Sequence, residues 1–224
     1  MNKIYSRLAF TNIKNNKTLY MPYIISGMVM IAMFYVMMFL NNSKGLSKVP
    51  GADALVEVMG LGCGIIAIFS YIFLFYTNSF IIKRRKKEVG IYNILGMEKR
   101  HIARVLSIET LTVALAAIAS GIIAGILFSK LMIMFLYRII NIKAQINFTV
   151  STSAVVNTIL IFGLLYFLTL IYNLMQVKLA NPIELLRGGN VGEKEPKSKW
   201  FIAIIGLLCL AGGYYIAITT KNPL

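Results

Sequence analysis

The chain has 224 residues, of which 58% are hydrophobic and 14% charged, and it carries a formal net charge of +15. That balance excludes an ordinary soluble domain and points to an integral membrane protein. In a soluble chain +15 would suggest nucleic acid, but here the cations sit in short segments flanking apolar runs, where retention on the cytoplasmic side explains them, so no nucleic-acid partner is expected.

A hydrocarbon core of about 30 Å takes about 20 apolar residues as helix. Five stretches reach or approach that length, at 19–40, 59–82, 108–136, 154–172 and 200–219, which predicts an all-α, polytopic protein of about five spans. The first is too long for the apolar part of a secretory signal and no A-x-A pattern follows it, so it reads as a retained anchor. The third is long enough to tilt or to begin below the membrane. Cys63 and Cys209 fall inside apolar stretches with no metal-ligand spacing and read as small packing residues. Lys and Arg are concentrated before span one, between Lys83 and Arg104, and after span four, against few in the alternate connectors. The positive-inside bias therefore puts the N-terminus in the cytoplasm and, with five spans, the C-terminus outside.

The connector between spans two and three, "KRRKKEVGIYNILGMEKRHI" at 83–102, is the densest in charge. Lys and Arg favour helix, so span two is expected to continue through Lys83–Lys87 into the cytoplasm. Val89, Tyr92 and Leu95 then recur at helical spacing, with Ile91 and Ile94 alongside, and Gly96 is a natural helix stop. A second helix from about Met97 carries Ile102, Val105 and Leu106 into span three. A connector that only fixes topology needs the charges but not the Val89/Tyr92/Leu95 face between Gly90 and Gly96. Such a face, exposed within a basic rim, calls for a partner or the membrane surface, and a protein partner is the sharper expectation.

No catalytic constellation is present. There is one histidine, His101, and of eight acidic residues only Glu109 lies within a predicted span, so no carboxylate pair or nucleophile–base set assembles. No G-x-x-x-x-G-K-[ST] segment occurs either, so work driven by ATP requires hydrolysis by another subunit. No cofactor or metal site is expected. Glu109 is read in two ways: a buried acid paired with a cation such as Arg104 or an N-terminal lysine, or relaying protons; and, more simply, an anchor at the headgroup boundary. Gly121 and Gly125, in "GIIAG", allow close helix approach, most simply for packing within the protein. Lys44, Lys48, Arg138 and Lys143, on the expected outer side, are read as solvated loop charges.

"RRKKEVGIYNILGMEKRHIARVLSIET" resembles the signature of FtsX-like permeases of ABC transporters, through Arg84, Arg85, Glu88, Val89, Gly90, Leu95, Gly96, Ile102 and Glu109. "LAFTNIKNNKTLYMPY" at 8–23 is similar to that family's amphipathic N-terminal helix, and "ANPIELLRGG" at 180–189 to its segment after span four. The short first connector resembles the bacitracin-resistance (BceB-type) branch, of which the chain looks like the N-terminal half. The resemblance implies a cytoplasmic N-terminal helix at 1–18, a permease core at 19–190 with a coupling segment at 83–107, a cytoplasmic linker at 191–199 and a fifth span at 200–219. It further implies that Glu88, Val89, Gly90, Tyr92, Leu95, Gly96 and Met97 dock into a cytoplasmic ATPase, with Arg84, Arg85, Lys86 and Lys87 anchoring the segment at the inner leaflet. Further implied partners are the rest of the permease, a membrane histidine kinase and the lipid bilayer. The alternatives are a regulatory permease controlling a cell-wall hydrolase and a non-ABC helical scaffold or channel.

Overall fold

The computed structural model describes residues 2–42, 52–140, 150–179 and 200–219, and every element among them is a helix. These are α1 (Asn2–Asn15), α2 (Lys17–Asn41), α3 (Ala52–Ile94), α4 (Lys99–Ile140), α5 (Thr152–Leu179) and α6 (Trp200–Thr219). The segment 180–189, the linker 191–199 and Lys44, Lys48 and Lys143 lie outside the described residues. The chain forms two units, Met1–Gly188 and Gly189–Leu224; the second contains α6, a 20-residue apolar helix over the predicted fifth span.

Among the described residues, four helices are long and apolar enough to cross a membrane: Lys17–Asn41, Ala54–Arg85, Lys99–Leu136 and Thr152–Lys178. The protein is therefore a multi-pass membrane protein. α2 is the most buried of the four and packs against α3, α4 and α5. The core runs along it: Tyr23, Ile31 and Phe34 meet Leu74 of α3, Val113 and Ala117 of α4, and Phe162 and Tyr166 of α5. Phe34 lies edge-on to Phe162 at 5.7 Å. The opposite faces carry exposed large apolar side chains, such as Leu61, Ile65, Ile72 and Tyr76 on α3, as helices facing lipid require.

α3 and α4 are far longer than a membrane crossing. At 43 and 42 residues and 1.5 Å per residue each extends roughly 65 Å, about twice the thickness of the hydrocarbon core. α3 runs unbroken through Lys83–Lys87, because Lys, Arg and Glu propagate a helix well. It stops where its sequence supplies a glycine: Gly96 has φ 88°, the Gly96 amide bonds the Asn93 carbonyl at 3.1 Å, and the Met97 amide bonds the Tyr92 carbonyl at 3.0 Å. This is a Schellman cap. α4 starts after Glu98, whose carbonyl accepts from the amides of His101 and Ile102. The outcome is a helical hairpin at the end of the bundle where α1 lies, the end that also carries Lys14, Lys17, Lys99 and Lys178.

Glycines on α4 let it approach α2 closely. A Cβ on Gly121 would sit 2.7 Å from Ile31 Cβ and 3.0 Å from the Met28 carbonyl oxygen, and one on Gly125 would sit 2.8 Å from the Tyr35 ring. Small residues let helices approach where lipid supplies no hydrophobic drive. Gly163 has nothing within 4 Å of its Cβ position. Gly121→Leu and Gly125→Leu are accordingly expected to separate α2 from α4 and to cost at least about 1–3 kcal/mol each. Gly163→Leu should leave the midpoint of thermal unfolding in detergent near that of the native protein.

Candidate functional site

The projecting hairpin has an inner and an outer face. Val89, Tyr92 and Met97 pack inward against a cluster of Ile102, Leu106 and Val177, and Gly90 is buried. Ile91, Ile94 and Leu95 point out, at 50%, 62% and 75% exposure. Around them Arg84, Glu98, Lys99 and Arg100 are also exposed. The outward apolar surface is thus Ile91/Ile94/Leu95, displaced from the Val89/Tyr92/Leu95 face expected from the sequence. The helical spacing holds, but α4 and α5 cover the Val89/Tyr92 side. Lys99 Nζ reaches the carbonyl of Lys178 on α5 at 3.1 Å, which steadies the hairpin's second helix against the end of α5.

Behind the hairpin lies a buried charged cluster. Glu109, on α4 and 1% exposed, faces Arg85, on α3 and 2% exposed. The Arg85 guanidinium meets the carboxylate with both terminal nitrogens: Nη1 donates to Oε2 and Nη2 to Oε1 at 3.2 Å. The same carboxylate accepts from Asn12 Nδ2 of α1 at 2.8 Å and from the Tyr20 hydroxyl of α2 at 3.1 Å, so each oxygen has two donors. Arg85 also donates from Nη1 to the Tyr20 hydroxyl and from Nε to Glu88 Oε2 at 3.0 Å. Two further bonds run outward. Asn16 Nδ2, at the break between α1 and α2, donates to Glu88 Oε1 at 3.1 Å, and the Tyr92 hydroxyl donates to Asn12 Oδ1 at 3.1 Å.

This arrangement meets the condition under which a buried charge is tolerated, which is full pairing with every lone pair occupied. It comes from four helices. On α1, Tyr5, Ala9 and Asn12 share one face by their spacing of four and three; Tyr5 and Ala9 pack on Val105, and this seats Asn12 on Glu109.

Two helical turns along α3 from Arg85, further into the bundle, a second polar tie follows. Asn78 of α3 and Asn173 of α5 exchange side-chain hydrogen bonds at 2.6 and 3.2 Å, and Asn173 Nδ2 also donates to Thr110 Oγ1 of α4 at 3.2 Å. A small cavity separates the two ties, lined by Tyr20, Tyr23, Asn78, Glu109, Thr110 and Asn173 among others. Glu109 and Thr110, adjacent on α4, therefore join α1, α2 and α3 on one side to α3 and α5 on the other.

Several expected positions are occupied differently. Arg85 does not face outward toward lipid phosphate; its guanidinium is enclosed by Glu109, Tyr20 and Glu88, because it lies on the same side of α3 as Ile81 and Asn78, toward the bundle. Arg84 is exposed, above the Phe80 ring at 5.0 Å, while the side chains of Lys86 and Lys87 lie outside the described residues. The cation at Glu109 is Arg85, rather than Arg104 or an N-terminal lysine; Arg104 instead lies over the Tyr5 ring at 5.5 Å. Asn12, Asn16, Tyr20 and Asn173 belong to the site and were not singled out from the sequence. The signal available was their polarity within otherwise apolar faces, which membrane helices carry at a cost.

Long apolar helices, two of which run on into a glycine-capped hairpin at one end, define a polytopic helical membrane protein. Residues 61–182, more than half of the chain, match the family described as FtsX-like permease C-terminal, and the chain belongs to the FtsX-like permease family. It is similar to the uncharacterized ABC transporter permease YvcS of Bacillus subtilis, 31% identical over 96% of this chain and 33% of that protein. It is also similar to the bacitracin export permease protein BceB of the same organism, at 29% over 95% of this chain and 33% of that protein. The corresponding BceB of Halalkalibacterium halodurans is 26% identical over 95% of this chain and 33% of its own length. The chain thus spans about one third of the length of these relatives.

Removing either charge leaves the other buried and unpaired. Glu109→Ala and Arg85→Ala are each expected to cost about 3–5 kcal/mol, with a combined loss well below the sum. Asn173→Ala, which removes uncharged interhelical bonds to Asn78 and Thr110, should cost about 0.6–1.7 kcal/mol per bond lost. Unfolding in mixed detergent micelles measures all four variants.

Proposed function

We propose that this chain is the energy-coupling part of an ABC transporter permease, that its basic end faces the cytoplasm, and that the hairpin tip docks into a groove of a separate ATPase subunit. The observation that carries this reading is the exposure of Ile91, Ile94 and Leu95 on a helical hairpin that projects beyond the apolar spans. On a hairpin that runs on past the apolar spans these side chains form an apolar patch with a charged rim, the composition of a protein contact. Orientation follows from the excess of Lys and Arg at the same end. Hydrolysis of ATP is assigned to the partner, and this chain transmits the resulting movement through α3 and α4.

The transported or displaced substrate is proposed to be a bacitracin-like antimicrobial peptide, on the strength of the two relatives named as bacitracin export permeases. In this reading the coupling role rests on Leu95, Gly96, Ile91 and Ile94 at the surface. Glu88, Val89, Gly90, Tyr92 and Met97 hold the tip in shape from beneath. Arg84, with Lys86 and Lys87, serves the anionic inner leaflet, at about 1 kcal/mol per charge near the surface. The remainder of the permease and a membrane histidine kinase complete the proposed assembly.

Leu95→Asp and Ile94→Asp each place a charge in the centre of the patch without touching the buried cluster. Both are expected to abolish co-purification of the ATPase with the permease while membrane insertion and thermal stability stay at native levels. Undiminished co-purification in both variants rejects the docking role.

A further inference from the structure

We propose that Arg85 and Glu109 are positioning residues that make α1 and the first turns of α2 travel with the hairpin, so that force applied at the tip enters span one as well as spans two and three. This rests on the coupling reading above and assigns its transmission path. The joint between α1 and α2 is the natural place for the chain to give way, since Asn16 leaves the helical conformation there, with φ −102° and ψ 35°. The cluster pins that joint from both sides. Asn12 before it and Tyr20 after it both bond Glu109, and Asn16 itself bonds Glu88. Tyr92, nearest the tip, bonds Asn12. Every one of these links runs from α3 or α4 to α1, to α2 or to the joint between them.

The choice of charge over apolar packing has a physical reason. Apolar attraction is non-directional, so the packing of α1 does not by itself fix a single register. A fork-shaped Arg–carboxylate pair removed from water has one favourable register, and displacing it strands a charge. The pair therefore resists slip in a way that Tyr5, Ala9 and Val105 do not. The helix so captured is α2, the one that packs against α3, α4 and α5, so displacement of its start is felt by the whole bundle.

The test uses the full-length permease assembled with its ATPase in lipid nanodiscs, with Cys63 and Cys209 replaced by Ala. Spin labels are placed in two pairs that share Val156 near the far end of α5: Phe10–Val156 reports α1 and Lys83–Val156 reports the hairpin, all three positions being exposed. In the native protein, trapping with ATP and vanadate is expected to shift both distances. The doubly apolar variant R85M/E109L leaves no unpaired charge and is expected to insert and to retain the ATPase, since such replacements are often neutral for stability. It should keep the Lys83–Val156 shift and lose the Phe10–Val156 shift; an unchanged Phe10–Val156 shift overturns the proposal. If the double variant does not insert, Asn12→Leu reads the same link by removing the bond from α1 to Glu109, and is expected to reduce the Phe10–Val156 shift, an undiminished shift again counting against it. Absence of any shift in the native pairs overturns the coupling reading itself, and this inference with it.

Discussion

The pairing of Arg85 with Glu109 is the interaction on which the rest of the basic end depends. Two opposite charges lie out of water where a polar connector meets an apolar span, a position that is stable only if each is fully satisfied. Satisfying them dictates the neighbourhood. The carboxylate needs donors beyond the guanidinium, which brings in Asn12 and Tyr20, and the guanidinium needs a further acceptor, which brings in Glu88. The two consecutive pairs, α1 with α2 and α3 with α4, are thereby tied to each other at one level.

The consequences extend outward and inward. Outward, the same helices run on as a capped hairpin whose apolar residues divide: Val89, Tyr92 and Met97 are used to hold the hairpin against α5 and the start of α4, and Ile91, Ile94 and Leu95 are left over. Inward, the approach of α2 to α4 through Gly121 and Gly125 lets a helix pair with few polar contacts pack closely. Both features give stiffness, at one end through charge and in the middle through shape.

Much of this was legible in the sequence. Span positions follow from apolar length alone, and the hairpin follows from helix-forming Lys and Arg running into a glycine, because each signal is local. The identity of the outward face was not legible, since Val89 and Ile91 are chemically alike and only the packing of α4 and α5 decides which is covered. The partner of Glu109 was not legible for a related reason. Arg104 is nearer in sequence, but it is on the same helix and turned toward Tyr5, whereas Arg85 reaches the carboxylate only once the hairpin has folded back. Arg85 read as one of four cations anchoring the segment at the inner leaflet, and the run in fact divides between an outward residue, Arg84, and an inward one.

The central claim is that a stiff hairpin on the cytoplasmic side presents Leu95, and hides Val89, for a nucleotide-hydrolysing partner. It is tested most directly by photo-reactive side chains introduced singly at these two positions in living cells. The account predicts an adduct with an ATPase subunit from position 95 and none from position 89. No adduct from 95, equal adducts from both, or labelling of position 95 by a membrane-impermeant reagent applied from outside would contradict it.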